Sequence, residues 1–317
     1  MQLSIVIPVF NASELLIEVI DSVLDLSSEV QLEIILVFNG PKGHIGPEEV
    51  YPILRKTGIE FTILEETLAD APNARNIGLK KSKGDYVKFL DSDDIIRKEP
   101  TLNQILKLAH SNVDVTTSNH INLSPNNGSN GKFESISSRQ FTTPLEGLAS
   151  GAIGITSGAI FRRSSIQSLK WKVGLPCNQE KEFYLECFKN GLRFAHHPEP
   201  TFLKHSLEGS ISESAGRTGV SLREVARFRL RLWRLYKTTA SDRERAAMSK
   251  GLFGSLRSLE KSLALENMLL MGCILFSTAL RPDQLSRKQC ILLLLTSPFG
   301  YCLVMPLWQT FLAREKK

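Results

Sequence analysis

Three carboxylates crowd four consecutive positions in the segment YVKFLDSDD: Asp91, Asp93 and Asp94. Carboxylates held that close repel by about a kcal/mol or more per pair, so the cluster calls for a cation to sit among them. Tyr86 to Leu90 has the composition of a strand, and Asp91 and Asp93, two apart at its carboxyl end, can be turned toward one point. Open α/β sheets bind ligands at that edge. A hard divalent ion, Mg²⁺ or Mn²⁺, takes one or two carboxylates and completes its octahedron with water and substrate phosphates, so Asp-x-Asp at a strand end points to a phosphorylated substrate. A plainer reading stays open beside it: Ser92 or Asp94 caps a following helix and the rest is a solvated turn.

The elements that must position this cluster are legible upstream of it. Leu3 to Val9 is a mostly apolar run too short for a helix, a strand buried on both faces that Pro8 is expected to stop. Asn11 and Glu14 have the form of a capping box, and Leu15, Leu16, Val19, Ile20, Val23 and Leu24 then share one helical face. Glu33 to Phe38 and Ile59 to Leu64 read as further strands, with a short helix over Pro47 to Lys56 between them. Pro72 opens a helix that continues over Asn73 to Lys83 and ends at Gly84, leading into the strand that carries the carboxylates. Such alternation predicts a mostly parallel sheet covered by helices on both faces. Beyond Asp94, a helix is expected over Thr101 to His110 and a strand over Val113 to Leu123, with Asn119 and His120 toward the site; His196 and His197 read as loop residues.

The chain has 317 residues, of which 42% are hydrophobic, ample for a buried core, and a net charge of +6 that is unevenly spread. Residues 220–317 hold 17 Lys and Arg against 7 Asp and Glu, about +10, which leaves the first 219 near −4. The front reads as a globular domain and the back as a basic tail. No apolar signal segment opens the chain, and the five cysteines show no metal-site spacing, which fits a reducing, cytoplasmic setting.

Four segments together resemble the family 2 glycosyltransferases: SIVIPVFNASELLIEVIDSVL, EIILVFNG, NARNIGLKKSKGDYVKFLDSDD, and QEKEFYLECFKNG with HSLEGSIS. Their order over residues 3–212 makes the likeness specific. The resemblance implies a GT-A type, Rossmann-like α/β domain over 1–219, with its nucleotide half over about 1–98 and its acceptor half over 99–219, followed by a helical appendage over 220–317. It also implies inverting transfer of a sugar from a nucleotide-sugar donor to an acceptor hydroxyl, in cell-surface glycan or polysaccharide assembly. Pro8 and Val9 would then lie along the nucleotide, Arg75 would meet the donor phosphate or the carboxylates, and Asp91 and Ser92 would lie on the donor side. Asp93 would ligate Mn²⁺ or Mg²⁺ at the diphosphate, with His205 near the diphosphate or the metal. Asp94 is left as a cap.

Two positions depart from the family pattern. Relatives carry an Asp pair where this chain has Phe38-Asn39, so either Asn39 reads the base through its amide oxygen, or stacking and backbone contacts hold it, or the donor base differs. Relatives carry Glu-Asp twelve and eleven residues before a helix-ending Gly, and counting back from Gly191 gives Gln179 and Glu180. Glu180 is the expected catalytic base, with Glu182 as the second choice. Two rival readings keep the same residues: a non-catalytic relative that binds sugar nucleotides or glycans, and a nucleotidyltransferase.

In the tail, REVARFRLRLWRLYK over 223–237 alternates charge with apolar residues, as an amphipathic helix does at an anionic surface. No motif that reads nucleic acid accompanies it. Residues 290–313 carry no charge over about the length of a bilayer span, though Pro298, Gly300 and Pro306 break it. Peripheral attachment to the inner face of the cell membrane, a buried hairpin or homodimer interface, and a true span all remain open. A lipid-linked glycan acceptor follows from the first.

Overall fold

Seven consecutive buried residues, Leu3 to Val9, make the first strand, β1 (Gln2–Val9), a central one. It pairs in parallel with β2 (Gln31–Asn39) on one side and β4 (Tyr86–Phe89) on the other, and β3 (Glu60–Glu66) adds in parallel to β2. The connecting helices are α1 (Leu15–Leu24), α2 (Pro47–Arg55) and α3 (Ala71–Lys81). The chain continues through β5 (Asp94–Ile96), α4 (Lys98–His110), β6 (Val115–Leu123), β7 (Phe133–Ser135), α5 (Pro144–Ser150), β8 (Ala159–Arg162), α6 (Arg163–Ile166), α7 (Gln179–Lys189) and β9 (Phe194–His205). These describe the first of two compact units, Met1–Glu213; the second is Ser214–Lys317. The structure is a computed structural model and describes residues 1–41, 43–123, 133–135, 141–205, 219–259 and 274.

Among the described residues the strands form one sheet, ordered β3-β2-β1-β4-β8-β6-β9-β5, with β7 added to β6. It is parallel over β3-β2-β1-β4 and mixed beyond: β8 is antiparallel to β4 and β6, β6 and β9 are parallel, and β5 returns antiparallel to β9. The strand-order reversal beside β1 and β4 is the kind of switch point where α/β sheets bind ligands. The core beneath it joins Ile5 and Ile7 of β1 and Ile34 and Leu36 of β2 to Leu16, Val19, Ile20 and Val23 of α1. Each such side chain contributes roughly 1.5–3 kcal/mol on burial.

A buried polar clasp fixes the approach to β4. Glu33 in β2 accepts from Ser4 Oγ (2.5 Å) and from the Lys83 backbone N–H (2.8 Å), while Ser4 Oγ accepts from the Gly84 N–H (2.9 Å). β1 and β2 are thereby tied to the turn that delivers Tyr86 to Asp91.

Several local expectations are corrected. Pro8 does not stop β1, which runs on to Val9. Asn11 makes no capping box: it adopts φ 46°, in the left-handed region that Asn tolerates, and the helix begins only at Leu15 with no side-chain cap. Neither Ser92 nor Asp94 caps a helix, because β5 intervenes and α4 starts at Lys98 after Arg97. α3 starts at Ala71 and ends at Lys81, and the true N-cap is Asp70, whose Oδ1 accepts from the Asn73 N–H (2.7 Å). His196 and His197 lie within β9 rather than in a loop. His120 does not face the site but is buried, stacked on Phe202 with ring centroids 5.1 Å apart, and Asn119 donates to the Pro198 carbonyl (2.6 Å).

In the second unit α8 (Gly219–Tyr236) packs on α9 (Asp242–Leu259), with Arg229 donating to the Gly251 carbonyl and to Ser255 Oγ, both at 2.9 Å. Of the apolar members of the expected surface-binding stripe, Phe228, Leu230, Leu232 and Trp233 are buried, Val225 and Tyr236 are half-buried and Leu235 is exposed. Among the described residues no helix is long and apolar enough to cross a membrane. The apolar stretches 263–280, apart from 274, and 290–313 lie outside the described residues.

Candidate functional site

α3 carries Arg75 toward the sheet edge because the helix sits unusually close to β1. Gly78 faces Val6, and a Cβ at that position would lie 2.2 Å from Val6 Cγ1. Arg75 is buried, 5% exposed at its side chain, and its guanidinium forks: Nη2 donates to Asp91 Oδ1 (2.7 Å) and Nη1 to Gln179 Oε1 (3.3 Å). Trp171 lies over it, 4.7 Å from guanidinium carbon to ring centroid, and is itself stacked on Phe183 of α7 at 4.4 Å. Asn76 holds Trp171 there by a reciprocal pair, donating to the Trp171 carbonyl (2.9 Å) and accepting from its N–H (2.8 Å). A planar, permanently charged group clamped in this way is rigid, as lysine would not be.

The carboxylates at the end of β4 have three different environments. Asp91 is bonded to Arg75, and its N–H donates to Ser157 Oγ (3.0 Å). Ser157 is held from below by the fully buried Lys88, whose ammonium bonds the Ser157 carbonyl. Burial lowers the Lys88 pKa to about 7, against the pull of Asp94 and Asp91. Asp93 is half-buried, and its pKa is raised by burial and by Asp91, while Lys204 and His205 pull it down. His205 Nδ1 lies 2.8 Å from the Asp93 carbonyl oxygen, an acceptor only. In the neutral ring, Nδ1 therefore carries the proton and Nε2 keeps its lone pair. Asp94 is fully buried, neither oxygen has a partner at hydrogen-bond geometry among the described residues, and it faces Lys204 directly across the β5–β9 pairing at 3.8 Å. Burial drives its pKa up despite that lysine.

α7 supplies the opposite wall. It starts after Asn178, which holds φ 57°, and its first two residues are Gln179 and Glu180. Gln179 accepts from Arg75 without adding negative charge, and its Nε2 donates to the Leu175 carbonyl (3.0 Å). Glu180 is half-buried, and its pKa is raised, chiefly by burial and further by Asp91, with Lys181 and Arg75 opposing. Glu182, two residues further on and so turned to the opposite side of the helix, is buried. Arg75 thus joins the strand-end acid Asp91 to the start of the helix that carries Glu180, 104 residues apart from Gln179 in the chain.

A cleft of about 250 Å³ opens at the carboxyl ends of β1, β2 and β3, lined by Val9, Asn11, Phe38, Asn39, Glu65 and Glu66 among others. Val9 and Asn39 are where a nucleotide was expected to lie, whereas Pro8 is buried within β1. The Asn39 amide is committed to the fold: in the orientation that satisfies both ends it donates to the Val9 carbonyl (2.9 Å) and accepts from the Asp70 N–H (3.3 Å). Ser92 sits half-buried in the turn between β4 and β5.

Sequence reasoning missed Asn76, Trp171, Ser157, Lys88 and Lys204. Asn76 stood inside the quoted ARN segment and was the one with a local signal; the others act through pairings that only the folded sheet creates.

Residues 4–170 match the family described as "Glycosyl transferase family 2". Glycosyltransferase GlyG of Streptococcus pneumoniae serotype 4 is 27% identical over 127 residues, 40% of this chain and 41% of GlyG. The amylovoran biosynthesis glycosyltransferase AmsB of Erwinia amylovora is 37% identical over 106 residues, 33% of this chain and 35% of AmsB. The chain spans less than half the length of these relatives. Among solved structures, S. aureus TarS 1–349 in complex with UDP-GlcNAc superposes with a TM-score of 0.64 at 16% identity, over 87% of this chain and 81% of TarS. At that identity the likeness is one of fold, the GT-A type α/β domain expected from the sequence. With the family match covering more than half of the 317 residues and the sheet edge built as that fold requires, the chain belongs to glycosyltransferase family 2.

Proposed function

We propose that this chain is an inverting glycosyltransferase that moves a sugar from a nucleotide-sugar donor to the hydroxyl of a glycan acceptor, in a single in-line displacement. The observation that carries the reading is the Arg75 bridge, which brings the carboxylates after β4 and the start of α7 to one place. The cleft bounded by Val9, Phe38 and Glu66 is where the base would enter, and the diphosphate would then run toward Asp91 and Asp93. Glu180 would take the proton of the acceptor hydroxyl as its oxygen attacks the anomeric carbon. A carboxylate whose pKa is raised by burial is a stronger base for that task. The bond from the anomeric carbon to the diphosphate breaks on the far side, and its electrons stay on the phosphate oxygen.

The donor set around Asp93 fits a divalent cation. Its carboxylate has no described side chain bonded to it, its ionised form is disfavoured by burial and by Asp91, and no hydrogen bond from a described residue occupies His205 Nε2. Mg²⁺ and Mn²⁺ need only one or two protein ligands when substrate phosphates supply the rest, so Asp93 and His205 would hold the ion without a preformed cage. Bound there, the ion would offset negative charge on the diphosphate. Asp91 stays with Arg75 and orients it.

AmsB is named for amylovoran biosynthesis, and TarS was solved with UDP-GlcNAc; both support a polysaccharide-type acceptor and a nucleotide-sugar donor for this chain. The test is transfer assayed with Mn²⁺ across a panel of sugar nucleotides. Asp93→Ala and Glu180→Ala are each expected to lose transfer by at least about 10²-fold while remaining folded. Full activity in either variant removes that residue from the mechanism, and binding without turnover in the parent chain returns the non-catalytic reading. Attachment to a membrane through 223–317 is part of the same proposal. Fractionation of the full chain beside one truncated at Ser221 checks it, and equal partition of the two removes it.

A further inference from the structure

Lys204 is not accounted for by the reading above. It stands one residue before His205 on β9, opposite Asp94 in the antiparallel β5–β9 register. Its ammonium is 3.8 Å from Asp94 Oδ1, beyond hydrogen-bond distance, and makes no hydrogen bond among the described residues. Its side chain is 25% exposed while that of Asp94 is fully buried, so the stem rises from the buried acid and the head reaches solvent. The acids whose charge acts on it are Asp94, Asp91, Asp93 and Glu180. Sheet register thus sets it beside the carboxylates after β4, where the bond to the leaving group must break.

Resting on the transferase reading, we propose that Lys204 is a diphosphate-binding catalytic residue: its ammonium, which makes no hydrogen bond among the described residues, contacts the donor's diphosphate and stabilises the charge that develops on the leaving oxygen. No proton is transferred from it. Asp94 is the buried anchor that keeps the head from folding away, and the pair is held by sheet register rather than by a direct hydrogen bond.

The full chain is titrated calorimetrically with UDP, UMP, GDP and GMP in the presence of EDTA, so that no divalent ion contributes. The parent is expected to bind one diphosphate more tightly than the matching monophosphate, and Lys204→Met to lose about 10- to 100-fold of that preference, the range for a charge-assisted hydrogen bond, with monophosphate affinity unchanged. Lys204→Arg is expected to retain most of it. Because Lys204→Met leaves Asp94 buried without a cation, Asp94→Asn combined with Lys204→Met is measured as well. That double variant is expected to melt close to the parent yet still lack the preference. Recovery of the preference in the double variant, or its survival in Lys204→Met, makes Lys204 a mere counter-ion of Asp94 and overturns the proposal while leaving the transferase reading standing. A parent that binds neither UDP nor GDP in EDTA but binds one of them once Mn²⁺ is restored overturns this proposal alone, and one that binds neither with Mn²⁺ overturns both.

Discussion

Arg75 does two jobs that pull in the same direction. Its guanidinium spans Asp91 and Gln179, and its face carries Trp171, so the site's geometry depends on a planar fork rather than on charge alone. Arg75→Lys keeps the charge and loses the second bond and the stack. It is expected to lower stability by about 1–3 kcal/mol and transfer by on the order of 10²-fold, read from a thermal melt and from kcat with saturating donor. Unchanged kcat would mean that Asp91 and Gln179 hold their places without it. Arg75, Asp91, Asp93 and Glu180 were legible in the sequence because each sits in a short segment whose residue types and order are distinctive. Lys204 and Lys88 were not, since an isolated lysine in a strand looks like any other until register sets it opposite an acid. Asn39 looked like a reader of the base; its amide turns out to be used between Val9 and Asp70.

Element boundaries were legible where periodicity and burial agree. β1, β2, β4 and α1 are short, strongly apolar and bounded by turn residues, so propensity and tertiary packing point the same way. The misses lie where tertiary context overrides local signal: Asn11 is used for its left-handed backbone rather than as a cap, and His196 and His197 are drawn into β9 by parallel pairing with Thr117 and Ser118. The mixed half of the sheet carries no local mark of its own, because strand direction is set by connections that sequence does not display. α3 shows what an element contributes to chemistry. Its near contact with β1 at Gly78 fixes the depth at which Arg75 meets Asp91. Gly78→Ala would gain helix propensity, yet it places a methyl group against the core of a central strand, and overpacking of that kind costs about 1–3 kcal/mol. The expected result is a lower Tm together with weaker transfer, since the helix must lift and carry Arg75 with it. A stabilised variant with full activity would show that Val6 gives way instead.

At the scale of the molecule, stability should depend on pH through histidines buried far from the strand-end carboxylates in sequence. His120, stacked on Phe202, has its pKa lowered to about 4, chiefly by burial and further by Lys204, with Asn122 opposing. His196, edge-on to Phe141 at 4.9 Å and 3.1 Å from Thr117 Oγ1, is likewise lowered to about 4, by burial, Lys107 and His197. A histidine near 6.5 when unfolded and near 4 when folded binds more protons in the unfolded chain at any pH between those values, so its contribution is present above about pH 6.5 and is lost as pH falls toward 4. The raised carboxyls of Asp93, Asp94 and Glu180 act in the other sense, binding more protons when folded and weakening the fold as pH rises above the ordinary carboxylate range. A melt of the parent alone would mix the two, whereas the difference between parent and His120→Gln isolates one ring because the carboxyls cancel. Between pH 7 and pH 5 the parent is expected to lose about 2 kcal/mol more than that variant, a gap of several degrees in Tm. Parallel melting curves for the two chains over that interval would show that His120 is protonated in the fold, and that its stack on Phe202 tolerates a charge.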